Sequence, residues 1–236
     1  PIRVVTLPMQ QIPLALGLHI PATLTGFAGE QNALLCDLIA AQTGGQGEAQ
    51  LYLHAPEQMG KSHLAQAACY LAGEQGVPAA YWPLRQLGGQ LADASERIDA
   101  FGLAVVDDVD AIVGIAEQEY MLFDLINRCR EQQTPLLLTA KAPPNALALR
   151  LPDLQSRLNW GVVLPVADPT DDEKIALLTE RARDRGLVLP ANTAQWLLAH
   201  RPRSVGLLLQ DLERLDQAAV TAQRHLTIPF VRQILG

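Results

Sequence analysis

The chain has 236 residues, 49% of them hydrophobic, with a formal net charge of −7. This is enough to bury a sizeable core, in one large domain or one domain plus a small one. The acidic balance counts against a protein that grips nucleic acid through its phosphates, and no apolar run approaches the roughly 20 residues that span a bilayer.

Residues 10–18 read QQIPLALGL, an apolar stretch interrupted by Pro13 and Gly17. Chain ends are normally polar and mobile unless something ties them down. Arg3 followed by residues 12–20 invites a signal-peptide reading, but Pro8, Pro13 and the Gln10–Gln11 pair break the apolar segment. Met9 is a candidate natural start, with residues 1–8 an upstream extension. By pattern alone the stretch reads as an edge strand packed on its own domain.

From residue 21 onward, strands and helices alternate. A helix is expected over 32–42, then the loop TGGQGEA, a strand over 50–54, a helix over 62–74 and a strand over 78–82. Apolar strands follow at 103–106 and 136–139, with a helix over 117–132 between them and a last strand at 162–166. Short apolar strands separated by helices imply a parallel sheet covered on both faces. The three cysteines, Cys36, Cys69 and Cys129, are an odd number in apolar helix-like stretches. They suit small buried hydrophobes in a reducing, cytoplasmic setting. Beyond 166 the strands stop. The segment DPTDDEK opens a helix capped by Asp168 or Thr170, and Thr170 with Glu173 fits a capping box. Three or four helices then run to Leu235. The expected organisation is residues 1–20 as an N-terminal peptide, 21–166 as an α/β base and 167–236 as a helical lid.

The segment HAPEQMGKSHL follows the 50–54 strand and opens a helix. Against the phosphate-loop pattern GxxxxGK[ST], Ala55 stands at the first glycine, with Gly60, Lys61 and Ser62 in register. Backbone N–H groups of residues 58–63 (Gln58, Met59, Gly60, Lys61, Ser62 and His63) would cradle phosphates at a helix N-terminus. Lys61 would reach the β- and γ-phosphates and the Ser62 hydroxyl would hold Mg²⁺. The second signal is LAVVDDVD: Asp107 would organise Mg²⁺ and Asp108 would polarise the attacking water. Thr139, at the end of the PLLLT strand, either watches the γ-phosphate or simply caps its strand. Phe27 either shapes the base pocket or belongs to the core.

The ordered set of Phe27, the phosphate loop, VVDDVD, LLLT…PP, LPDLQSRLNWG and a helical lid resembles the AAA+ module of the bacterial replication initiator DnaA. With the glutamine-plus-leucine N-terminal peptide and the ending LTIPFV, it resembles the short members of that family that inactivate the initiator. The resemblance covers nearly the whole chain, from Gln11 to Leu235. It implies an AAA+ P-loop NTPase fold with a bound nucleotide, ADP favoured over ATP, and Mg²⁺. It implies two partners, the DNA polymerase sliding clamp (beta subunit) and DnaA, with DNA met only through the clamp. QIPLAL aligns with the family's clamp-binding peptide, in which Gln11, Ile12, Leu14 and Leu16 make the contacts.

Arg157 in LPDLQSR matches the family's arginine finger and would act on a partner's nucleotide; from the residues alone it reads as a salt-bridged surface arginine. AAA+ lids usually carry a sensor arginine at the start of their third helix, and Gly206 aligns there. Together with Ala55 this implies tight nucleotide binding with negligible turnover. A self-contained AAA+ ATPase or helicase-loader-like factor is the alternative, and a homo-oligomer is compatible with either.

Overall fold

The computed structural model describes residues 22–24, 27, 29–87, 98–222 and 226–236. The peptide residues Gln11, Ile12, Leu14 and Leu16 lie outside that set. Five parallel strands, β1 (Gln50–His54), β2 (Ala79–Pro83), β3 (Leu103–Asp107), β4 (Leu136–Ala140) and β5 (Val162–Pro165), lie in the order β2-β3-β4-β1-β5. Each stands within one residue of its expected bounds. β3 and β4 are buried along their whole length, as strands covered on both faces must be.

The period of two sorts the side chains cleanly. Leu51, Leu53, Leu103, Val105 and Leu137 face one layer, built on Leu35 and Ile39 of α1 (Ala33–Thr43) and Leu64, Ala65 and Ala68 of α2 (Lys61–Glu74). Tyr52, Ala104, Val106, Leu136 and Leu138 face the other. Its helices are α4 (Ala116–Glu131), through Leu122, Leu125 and Ile126, and α5 (Pro152–Leu158), through Leu154 and Leu158. The one-turn helix α3 (Leu84–Leu87) caps β2. Each fully buried leucine contributes about 1.5–3 kcal/mol. Cys129 is buried, Cys36 and Cys69 are half-buried, and all three are free helical thiols. Burial pushes Cys129 up to about 12, and burial together with the Asp107 charge does the same to Cys69.

The lid comprises α6 (Asp171–Asp184), α7 (Ala191–His200), α8 (Val205–Ala222) and α9 (Ile228–Leu235) around its own core of Leu178, Leu197, Leu208, Leu212, Leu215 and Val231. Thr170 is the cap. Its hydroxyl accepts from the Glu173 amide at 3.3 Å, and the Glu173 carboxylate accepts from the Thr170 amide at 2.7 Å. Asp168 instead pairs with buried Lys174 at 2.8 Å. Two contacts fix the passage from sheet to lid. The Asn32 side chain both donates to and accepts from the backbone of Ala167, at 3.0 and 2.9 Å, and Glu173 accepts from the Glu30 amide at 2.9 Å.

Entry into β5 requires the absence of a side chain at Gly161. A Cβ there would lie 2.0 Å from the Gln50 carbonyl oxygen, and strand backbone has no rotamer with which to yield. Overpacking typically costs about 1–3 kcal/mol, and this contact belongs at the upper end. Gly161→Ala is expected to lower Tm by about 5–10 °C; an unchanged melting curve would contradict the packing described.

Candidate nucleotide site and the Arg157 surface

β1 leaves the sheet between β4 and β5, so its C-terminal end opens at the crevice where strand order reverses, the usual ligand position in open α/β sheets. Ala55 still belongs to the ladder: its amide donates to the Ala140 carbonyl at 3.2 Å. Its backbone is not left-handed, and the positive-φ residues of the loop are Gln58 (φ 65°) and Gly60 (φ 84°). The backbone at the first position of the motif therefore accommodates alanine without strain. Gly60 is required twice over. It caps α2 in the left-handed region, and a Cβ would meet the Phe27 ring at 2.6 Å.

The first turn of α2 presents Lys61, Ser62 and His63, whose amides have no intrahelical acceptors, and no side chain caps that end. Lys61 is 5% exposed. Its Nζ donates to the carbonyls of Ala55 and Pro56, both at 2.8 Å. Burial lowers the Lys61 ammonium below its ordinary value, opposed by the nearby charges of Asp108, Asp110 and Asp107. Met59 packs into the α1–α2 layer, and Phe27 joins it there while stacking on His63 with ring centroids 6.0 Å apart. The His63 Nε2 donates to the Thr23 carbonyl at 3.1 Å, and burial holds the imidazole below its usual value. Phe27 thus both packs in the core and lies against the phosphate loop.

Asp107 and Asp108 end β3 beside Thr139 of β4. The buried Thr139 hydroxyl donates to an Asp107 oxygen and accepts from the Asp108 amide at 3.1 Å. This single hydroxyl orients both acids. The second Asp107 oxygen accepts from Tyr81 at 2.9 Å, and burial, with the Asp107 charge, raises the Tyr81 phenol. Asp108 is held left-handed (φ 59°) and pairs with Arg85 of α3 at 3.0 Å. Arg85 also meets Asp110, and Lys141 bridges Asp110 and Glu57 at 3.4 and 2.7 Å. Sequence reading missed Tyr81, Arg85, Asp110 and Lys141, because residues from four separate segments meet only when the sheet forms. Among the described residues, no group of three or more His, Cys, Asp or Glu could enclose a metal.

The lid closes over the loop. The Ser204 hydroxyl donates to the Gln58 carbonyl at 3.4 Å, and a Cβ on Gly206 would lie 3.6 Å from the same oxygen. Arg203 is turned toward Asp171 of α6.

Arg157 stands elsewhere. Its carbonyl accepts from the Gln50 side chain at 2.9 Å, which places it at the N-terminal end of β1, opposite the phosphate loop. Its Nε donates to Asn127 at 2.8 Å, and its guanidinium lies 3.7 Å from the Trp160 ring centroid. No carboxylate among the described residues pairs with it, so the salt-bridged reading of this arginine does not describe it. The structure brings Ala55, Gln58, Gly60, Lys61, Ser62, His63, Asp107, Asp108 and Thr139 to one end of the sheet and leaves Arg157 at the other.

Residues 171–235 match the family described as Hda, lid domain. Domain III of the Thermotoga maritima replication initiation protein DnaA superposes with a TM-score of 0.82 at 16% identity, covering 92% of this chain and 97% of that one. AMPPCP-bound DnaA from Aquifex aeolicus gives 0.69 at 18% identity, over 86% of this chain and 66% of that one. The Thermotoga maritima RuvB Holliday junction branch migration motor gives 0.66 at 17%, over 91% and 71%. At such identities the likeness is one of fold.

Proposed function

We propose, from the match of residues 171–235 to the Hda lid family and from the DnaA-like fold, that the chain is an AAA+ protein that negatively regulates the initiation of DNA replication. It acts by stimulating hydrolysis of DnaA-bound ATP in trans while tethered to the sliding clamp. The observation that carries this reading is the separation of its two halves. The nucleotide-holding residues lie at the C-terminal end of β1, whereas Arg157 lies at the N-terminal end with no carboxylate partner among the described residues. A guanidinium in that place cannot serve its own phosphate loop, but it can be inserted into a neighbour's, where it stabilises charge on the transferring phosphoryl group.

The protein's own nucleotide, ADP favoured, is then a structural and regulatory ligand. Backbone amides at the α2 N-terminus and the Lys61 ammonium hold its phosphates. Ser62 would hold Mg²⁺, whose chemistry is to neutralise phosphate charge. Both Asp107 oxygens already accept hydroxyl hydrogen bonds, so Asp107 would act on the ion through water. Asp108 would orient the water attacking a γ-phosphate, but Arg85 engages it, and no arginine projects from position 206. Weak turnover follows from both. At Gly206 an added side chain begins at ordinary van der Waals distance from the loop, so Gly206→Arg is expected to raise the protein's own ATP turnover about tenfold, measured by phosphate release. A variant that binds nucleotide normally but gains nothing would show that the missing arginine is not the limitation.

Residues 11–16 supply the tether. Bound extended, they would offer the Gln11 amide to a pocket rim and Leu14 and Leu16 as apolar anchors, with Ile12 adding contact. Clamp pull-down with wild type and Gln11→Ala tests this. The variant is expected to lose at least tenfold in clamp retention; equal retention would remove the peptide from the mechanism.

A further inference from the structure

The exposed indole of Trp160 lies between two arginines. The Arg157 guanidinium carbon is 3.7 Å from the ring centroid and that of Arg130 is 3.9 Å. Two guanidinium groups at those distances cannot share one face, so they occupy opposite faces. A tryptophan that is 39% exposed between two cations is an uncommon use of a large apolar side chain. Core packing does not explain it. Cation–π attraction does, since indole is the best of the aromatic rings for it.

Several contacts hold Arg157, whose guanidinium carbon also lies 5.4 Å from the Phe123 ring centroid. The helix end that carries it is anchored by Gln50, which donates to the Arg157 and Leu158 carbonyls at 2.9 and 3.3 Å. Its Nε is held by Asn127 at 2.8 Å, and one guanidinium face is covered by Trp160. Among the described residues the two terminal nitrogens donate to nothing. These are the nitrogens a bidentate contact with phosphoryl oxygens would use. Trp160 itself is positioned by its amide, which donates to the Arg157 carbonyl at 3.2 Å, and by Gly161, which has no room for a side chain against Gln50. On the far face Arg130 backs the ring.

We infer that Trp160, stacked between Arg130 and Arg157, is a positioning residue that preorganises the Arg157 guanidinium for a partner's nucleotide. This inference rests on the in-trans reading above. An arginine side chain loses considerable rotamer freedom when it is fixed. A stack that fixes it before the partner arrives moves that cost out of the catalytic step. Cation–π attraction does this without a carboxylate, so the positive charge remains available.

The test measures hydrolysis of ATP carried by DnaA, with clamp loaded on DNA, for wild type, Trp160→Leu, Trp160→Phe and Arg157→Ala. Trp160→Leu is expected to lower the stimulated kcat about tenfold with half-saturation by the regulator little changed. Trp160→Phe, which keeps an aromatic face, should stay within about threefold of wild type. A purely structural role would treat Phe and Leu alike or move half-saturation instead of kcat, and either result overturns the inference. So does full stimulation by Trp160→Leu when Arg157→Ala is inactive. If Arg157→Ala stimulates as well as wild type, the in-trans reading falls and takes the inference with it. A second measurement needs no partner. Arg157→Ala should alter tryptophan emission in the wild-type background and leave it unchanged in the Trp160→Phe background. No difference between the two backgrounds would show that the stack does not form in solution.

Discussion

Replacing Arg157 with alanine is expected to reduce the stimulated hydrolysis of DnaA-bound ATP by about a thousandfold, toward DnaA's own unstimulated rate. An arginine supplied from a neighbour is worth about 10³–10⁵ in rate because it meets charge that develops only as the phosphoryl group transfers. The fold should not suffer. Arg157 is only partly buried, its side chain makes one hydrogen bond to Asn127, and the Gln50 contact that anchors the helix end uses the backbone carbonyl, which alanine keeps. Clamp retention should be intact, since residues 11–16 are untouched. Arg157→Lys should also be poor, because an ammonium lacks the planar fork. Single-turnover phosphate release checks both variants; wild-type rates with Arg157→Ala would refute the role assigned to it.

Lys61→Ala is expected to weaken nucleotide binding by at least a hundredfold, measured by titration with a fluorescent ADP. Hydrogen bonds to charged groups contribute about 1.5–3 kcal/mol, and a phosphate site bound by an ammonium loses more than one. The Lys61 side chain is aimed into the loop, where its Nζ spans the Ala55 and Pro56 carbonyls at 2.8 Å. The loop itself should survive, since its shape depends on Gly60 and on the Ala55 amide's place in the ladder. If nucleotide is a structural ligand, Lys61→Ala should also lose the increase in Tm that added ADP produces in wild type. Unaltered ADP affinity would remove the loop from the site.

The sheet was legible because β1, β3 and β4 are apolar on both faces, so each strand reads as an unbroken run. The Thr170–Glu173 box was legible because its two bonds span three residues. The helix α5 was missed. Only Leu154 and Leu158 mark its buried side, too short a stretch for a period of 3.6 to show. Thr139 was singled out by position, but its bonds to Asp107 and Asp108 depend on β3 pairing with β4. Arg85, Lys141 and Trp160 share that difficulty: their partners lie tens of residues away or across a ring face, and charge or aromaticity alone does not name them.

The central question is whose ATP is hydrolysed. DnaA loaded with γ-labelled ATP and freed of excess nucleotide should be mixed with clamp on DNA, with and without this protein, and label release followed through one turnover. Rapid release is expected only when the protein and the loaded clamp are both present. Release at the same rate without the protein would contradict it.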